Sequence, residues 1–374
     1  MQKRIVCSVL IMSMLFSAFS FACRGDNRIS VDSSAKSAVL MDSQSGELIF
    51  SKNENEKLPI ASTTKIMTAI IVLGNTTLDT VISVDKRACG IEGSSAYLSE
   101  GAEVSIEDLL YALMLQSAND AAVALALYVG EGEAENFVSL MNEKAKMLGM
   151  KNSHFENPHG LCEDGHYSSA YDMALLMRYA MQNELFGKIT STYKYHSKAL
   201  NSSFVNHNRL LKSLKGCIGG KTGFTKKSGR CLVSTAERDG CEFICVTLSC
   251  PDDWQEHTAM YEKAFSDYCG YELVTRGQYG FCLPVVNSDC DTLYAEAEYT
   301  KALIKKSDTD KIKAKTHLHR FYYAGIEKGE KVGEMIFYLD DKEIAKSDIL
   351  ATNSCDNISY KNIFEKLLSF FIKD

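Results

Sequence analysis

Pro59-Ile60-Ala61-Ser62-Thr63-Thr64-Lys65-Ile66-Met67-Thr68-Ala69 is the stretch around which the rest of the chain is read. Pro59 and Ser62 are helix-start residues. Ile66, Met67, Ala69, Ile70, Ile71 and Leu73 then continue as a largely apolar helix that stops at Gly74-Asn75. Residues three apart share a helix face, so the Lys65 amine can approach the Ser62 hydroxyl. A buried amine loses its proton more easily than an exposed one, which suits it to act as base for a neighbouring serine. Alone the pair is a weak signal, because a serine N-cap followed by a solvated lysine has the same spacing. Upstream, residues 37–41 and 47–51 are short apolar strands around Asp42-Ser43-Gln44-Ser45-Gly46, a hairpin signal that leads into the Ser62 helix.

Two later stretches raise the weight of the first. Ser117-Ala118-Asn119-Asp120 lies between a helical pattern at 105–115 and the alanine-rich 121–129. Ser117 also suits the N-cap of that second helix, and the two readings are compatible. Lys221-Thr222-Gly223-Phe224-Thr225 follows Gly219-Gly220 and opens a strand pattern. Ser-x-x-Lys, Ser-x-Asn and Lys-Thr-Gly in that order form the three-part signature of penicillin-recognising serine acyl enzymes.

With 374 residues the chain is long enough for two domains, and a net charge of −7 argues against a nucleic-acid partner. The thirteen cysteines are scattered without paired Cys-x-x-Cys spacing, so neither a metal site nor a disulfide framework is indicated, and no cofactor is expected. Cys231, Cys241, Cys245 and Cys250 fall in apolar strand contexts where a thiol is a small hydrophobe, though a disulfide between adjacent strands stays open. Residues 1–22 read as a signal peptide cut after Ala22, with lipidation of Cys23 as the alternative. In residues 359–374, Phe364, Leu367, Leu368, Phe370 and Phe371 cluster on one side of a helix too short to span a bilayer. Such a helix lies in the outer membrane face of an exported protein or, alternatively, packs on its own domain.

The body between these ends alternates in type. Helical patterns fill 105–148 and 173–181. Strands are expected at 219–225, 230–236 and 242–248, followed by a helix at 254–268. His159 and His166 are loop-bracing residues or, at most, rim residues of a cleft. Five alternating segments then follow, at 281–286, 292–299, 311–319, 331–338 and 343–348. The fold class is α/β, an antiparallel sheet flanked by helices, with a second, small all-β domain. The expected boundaries are 1–22 signal peptide, 23–275 catalytic domain, 276–350 β domain, and 351–374 linker and membrane-anchoring helix.

On these motifs the chain resembles the low-molecular-mass penicillin-binding proteins that are D-alanyl-D-alanine carboxypeptidases, the S11 serine peptidases. Glu92-Gly-Ser-Ser95, Asn157-Pro-His-Gly-Leu161, Asn208-Arg-Leu-Leu211 and Val332-Gly333-Glu334 extend the resemblance over nearly the whole chain. It implies that Ser62 attacks the penultimate D-alanine carbonyl of a peptidoglycan pentapeptide and that β-lactam antibiotics acylate the same serine covalently. It further implies that Lys65 takes the Ser62 proton, Ser117 relays one to the leaving group, and Asn119 positions Lys65 and substrate. Lys221 and Thr222 would bind the terminal carboxylate, with Gly223 leaving room for substrate along the strand. The Ser62 and Phe224 N–H groups would form the oxyanion hole, Phe224 standing where many members carry histidine. Competing readings are a class A β-lactamase, which needs a deacylating glutamate such as Glu156 or Glu163, and a catalytically idle penicillin sensor.

Overall fold

The computed structural model describes residues 29–161 and 163–357; the expected signal peptide, Cys23 and the 359–374 helix lie outside them. Two-residue alternation explains the central sheet. In Ser37–Asp42, Val39 and Met41 face one core while Ala38 and Leu40 face another. Cys241–Leu248 repeats this, with Ile244 and Val246 on one face and Phe243 and Cys245 on the other. A sheet apolar on both faces must be covered on both, which is why it sits between helical layers.

Its five strands run in the order Leu48–Lys52, Ser37–Asp42, Cys241–Leu248, Gly229–Arg238, Cys217–Thr225, every neighbouring pair antiparallel. Asp253–Asp267 covers one face through Met260, Tyr261 and Phe265. The other face carries the helices Lys65–Asn75, Asn119–Val129 and Ala170–Ala180. Lys65–Asn75 buries Ile66, Met67, Ala69, Ile70, Ile71 and Val72, so it is central rather than a surface helix with one apolar stripe. The expected hairpin leading into this helix is present.

The second domain has a six-stranded sheet in the order Lys313–Leu318, Lys331–Leu339, Lys342–Ala351, Thr292–Ala297, Gly280–Val286, Tyr322–Tyr323. One strand that the alternation did not separate, Thr300–Lys305, pairs antiparallel with Tyr268–Val274, directly after the Asp253–Asp267 helix. The linker-like 351–357 is not free chain. Ala351 ends a strand, Cys355 pairs with Ile326 and is disulfide-bonded to Cys290, and Asn357 pairs with Ser288. That disulfide closes a loop of separation 65, a distance at which cysteine spacing carries no pairing signal. Cys231, Cys241, Cys245 and Cys250 are buried. Among the described residues no helix is long and apolar enough to cross a membrane.

Candidate active site

The chain enters the central helix through a 3-10 turn, Ala61–Thr64, and the α-helix itself begins at Lys65. Ser62 therefore lies inside the turn and caps nothing; Ile60 is the N-cap, without a side-chain bond. Ala61 holds φ at 47°, a left-handed conformation uncommon for alanine and one that local structure must enforce. It brings Ser62 to the mouth of a cleft of about 530 Å³ whose lining includes Ser117, Thr222, Gly223 and Phe224.

Lys65 is buried behind it, and its Nζ lies 2.9 Å from Ser62 Oγ, 2.6 Å from Asn119 Oδ1 and 2.7 Å from the His159 carbonyl. Two of these three partners can only accept. A neutral amine has two N–H bonds and one lone pair. With the N–H bonds directed to Asn119 and His159, the lone pair faces the Ser62 hydroxyl. Burial holds the Lys65 pKa well below the ordinary lysine value, the Lys221 charge lowers it further, and Asp120 partly opposes both. Among the described residues no carboxylate forms an ion pair with Lys65 or Lys221.

The His159 carbonyl is aimed by its own loop. Asn157 Oδ1 accepts from the Gly160 N–H at 2.7 Å, and Thr68 Oγ1 donates to the Pro158 carbonyl at 2.6 Å. Gly160 has φ +84°, and a Cβ there would sit 1.9 Å from the Ala61 carbonyl oxygen, so only glycine lets this loop lie on the Ser62 turn. His166 Nδ1 accepts from the Glu156 N–H at 3.1 Å, which leaves its Nε2–H to donate to Thr64 Oγ1 at 2.8 Å. Burial lowers the His159 pKa to about 3 and that of His166 to about 4, so both are neutral. They brace the loop, as expected; the contact of the His159 backbone with Lys65 carries no side-chain signal and was not anticipated.

Ser117 follows a π-turn, Ala112–Gln116, in a left-handed conformation at φ 61°. It is not the N-cap of the next helix: that position is Ala118, without a side-chain bond. The Ser117 hydroxyl instead accepts from Lys221 Nζ at 3.0 Å. Asn119 Nδ2 donates to the Glu92 carbonyl at 2.6 Å, and its backbone N–H to the Ser94 carbonyl at 2.7 Å. Beside it the buried Asp120 carboxylate accepts from Ser95 Oγ (2.6 Å), Ala96 N–H (2.9 Å) and Leu98 N–H (3.1 Å). The Glu92–Ser95 motif is thus a rim pinned by Asn119 and Asp120, and Asp120 is a positioning residue to which the motif reading gave no role.

Lys221 reaches Ser117 because its strand is clamped. Thr190 Oγ1 accepts from the Gly220 N–H at 2.9 Å, and Asn208 Nδ2 donates to the Gly219 carbonyl at 3.2 Å. Burial lowers the Lys221 pKa to about 7. At Gly223 a Cβ would meet the Ile60 carbonyl oxygen at 2.9 Å and Ser62 N at 3.1 Å. The space it leaves admits the nucleophile's own turn, and Gly223 also lines the cleft. Phe224 is 67% exposed, so its ring borders the cleft without filling it. Asn206, His207, Arg209, Arg230 and Trp254 also line the cleft, and sequence spacing alone did not connect these last two to it.

Glu156 pairs with His154 at 3.0 Å and Glu163 accepts from Asn157 at 3.1 Å; among the described residues neither is a hydrogen-bond partner of Ser62 or Lys65. Among the described residues no group of His, Cys, Asp and Glu could hold a metal ion.

Known proteins match this chain over both domains. The pattern of the D-alanyl-D-alanine carboxypeptidase S11 peptidase family covers residues 26–252, and that of the penicillin-binding protein 5 C-terminal domain covers 276–357. D-alanyl-D-alanine carboxypeptidase DacF of Bacillus subtilis is 32% identical, with 99% of each chain aligned. DacD of Escherichia coli is 30% identical over 90% of each. Penicillin-binding protein 5 of Haemophilus influenzae superposes with a TM-score of 0.74 at 27% identity, covering 88% of this chain and 99% of that one. With the serine–lysine geometry, the two-domain build and these likenesses together, the chain belongs to the D-alanyl-D-alanine carboxypeptidase family of S11 peptidases.

Proposed function

We propose that the protein is a serine-type D-Ala-D-Ala carboxypeptidase that removes the terminal D-alanine of peptidoglycan stem pentapeptides through an acyl-enzyme on Ser62. The observation that carries this reading is the Lys65 amine with two acceptor-only partners and Ser62 Oγ as its third. As Ser62 Oγ bonds to the penultimate D-alanine carbonyl carbon, its proton passes to the Lys65 lone pair. The carbonyl oxygen becomes an oxyanion stabilised by the Ser62 and Phe224 N–H groups; one such donor typically contributes about 2.7–4 kcal/mol. Collapse breaks the C–N bond, and the proton that Lys65 took from Ser62 is relayed through the Ser117 hydroxyl, itself hydrogen-bonded to Lys221, to the departing D-alanine amine, which returns Lys65 to its neutral form. Water then attacks the ester, with Lys65 again taking the proton, and Ser62 is released. Lys221 and Thr222 recognise the substrate's terminal carboxylate. Penicillins present a strained amide to the same oxygen and form the corresponding covalent adduct.

The enzyme works outside the cytoplasm, at the outer face of the membrane. Residues 1–22 supply the export signal and the apolar face of 359–374 the anchor. Release of D-alanine from a D-Ala-D-Ala pentapeptide, measured beside penicillin hydrolysis, tests the activity. Peptide turnover with a long-lived penicillin adduct is expected; rapid penicillin hydrolysis without peptide turnover would overturn the reading in favour of a β-lactamase.

A further inference from the structure

The second domain exposes apolar side chains together at one place. Phe321 and Tyr323 flank the buried Tyr322 of the short strand Tyr322–Tyr323 and stand 50% and 64% exposed. Their rings meet edge to face with centroids 5.6 Å apart. Val286, 40% exposed, is the in-register neighbour of Tyr323 on the parallel strand. Tyr322 fixes the pair from below, since its hydroxyl donates to the Val332 carbonyl and accepts from the His319 N–H. The trio therefore faces outward.

The described chain also ends here. Asn357 pairs with Ser288, two residues beyond Val286, and its Nδ2 lies 3.6 Å from where a Gly325 Cβ would be, two residues beyond Tyr323. The Cys290–Cys355 disulfide and the Ile326–Cys355 pairing bolt this exit to the sheet. Asn357, the last described residue, thus lies beside the exposed aromatics. Arg320 and Lys328 are exposed on the same segment, and among the described residues neither is in an ion pair.

We propose that Val286, Phe321 and Tyr323 are a second membrane contact, entering the headgroup boundary of an anionic phospholipid bilayer beside the anchoring tail. The proposal rests on the reading of 359–374 as that anchor. Tyrosine suits this boundary because its ring is apolar and its hydroxyl needs a wet partner, while arginine and lysine suit anionic headgroups. Three side chains give little affinity alone. Tethered by a bolted exit to a bound tail, they meet the bilayer as an effectively intramolecular contact. The contact would fix how the second domain stands on the membrane.

The test compares the full chain, F321S/Y323S, and a chain truncated after Asn357 on vesicles of phosphatidylglycerol and phosphatidylethanolamine. Truncation is expected to abolish most binding, and F321S/Y323S to weaken it about tenfold, with turnover of a soluble peptide unchanged. Unchanged vesicle binding by F321S/Y323S, with truncation still abolishing it, would overturn the second contact and leave the tail reading intact. Tighter binding by F321S/Y323S would also overturn it, because the patch would then be covered by the tail itself. Full binding by the truncated chain would overturn the tail reading; if F321S/Y323S then released it, the patch would stand as the anchor. Independently of folding effects, Tyr323→Trp should blue-shift on vesicles beyond any change from Trp254, and an unshifted emission would contradict the proposal.

Discussion

The two sides of the catalytic cleft each bury a lysine, and the two lysines are set up for opposite tasks. On the helix side, Lys65 Nζ is enclosed by Asn119 Oδ1, the His159 carbonyl and Ser62 Oγ. On the strand side, Lys221 Nζ bonds to Ser117 Oγ and the Thr222 carbonyl, beside the cleft lining formed by Thr222 and Gly223. Burial lowers both pKa values, and at Lys65 the charge of Lys221 acts in the same direction while Asp120 opposes it. One amine is thus kept neutral beside the nucleophile, while the other can regain its proton when a carboxylate arrives. Burial without a counter-ion does not by itself define a base; the partners around the nitrogen do.

Replacing Lys65 breaks the comparison most severely. Lys65→Arg should lower the rate of acylation by penicillin by about a thousandfold or more, because a guanidinium stays protonated and offers no lone pair. Stopped-flow or mass-resolved acylation rates check this, and a rate near that of the unsubstituted enzyme would remove Lys65 from the base role. Gly160→Ala attacks the same nitrogen indirectly. A Cβ 1.9 Å from the Ala61 carbonyl, on a residue at φ +84°, must displace the loop that carries the His159 carbonyl. A stability loss of about 1–3 kcal/mol is expected by thermal unfolding, with slower acylation of the molecules that remain folded.

The strand side is sharpened by pH. Lys65 must be neutral and Lys221 protonated, so kcat/KM rises as pH passes the depressed Lys65 value and falls as pH rises through about 7, the value for Lys221. Above it the decline should approach about tenfold per pH unit. Lys221→Arg keeps its charge at every working pH and should remove the alkaline limb, even where overall activity drops. An alkaline limb unmoved in that variant would assign it to another group.

These contrasts also mark what the sequence could convey. The order of the three motifs carries Ser62, Lys65, Ser117, Asn119 and Lys221 to one place, because side-chain identity and spacing are sequence properties. The alternation in 37–41 and 242–248 likewise foretells a sheet with two apolar faces. The His159 contribution is a backbone carbonyl, which any residue possesses, so nothing in its letter points to Lys65. At Gly223 the contact that excludes a Cβ comes from the Ile60–Ser62 turn, distant in sequence, so the motif alone does not show it. The left-handed Ser117 is hidden for a similar reason: its conformation is set by the π-turn before it and the lysine opposite, not by its own preference. In the second domain the Cys290–Cys355 bond and the Thr300–Lys305 pairing depend on partners distant in sequence, which spacing rules do not reach.

The central claim is that Ser62, activated by Lys65, is the residue that becomes acylated. The most direct measurement is peptide mass mapping of the enzyme after brief exposure to benzylpenicillin. One penicilloyl group is expected on the peptide carrying Ser62, and none anywhere in Ser62→Ala. An adduct on Ser117 or any other residue, or labelling that survives Ser62→Ala, would contradict it.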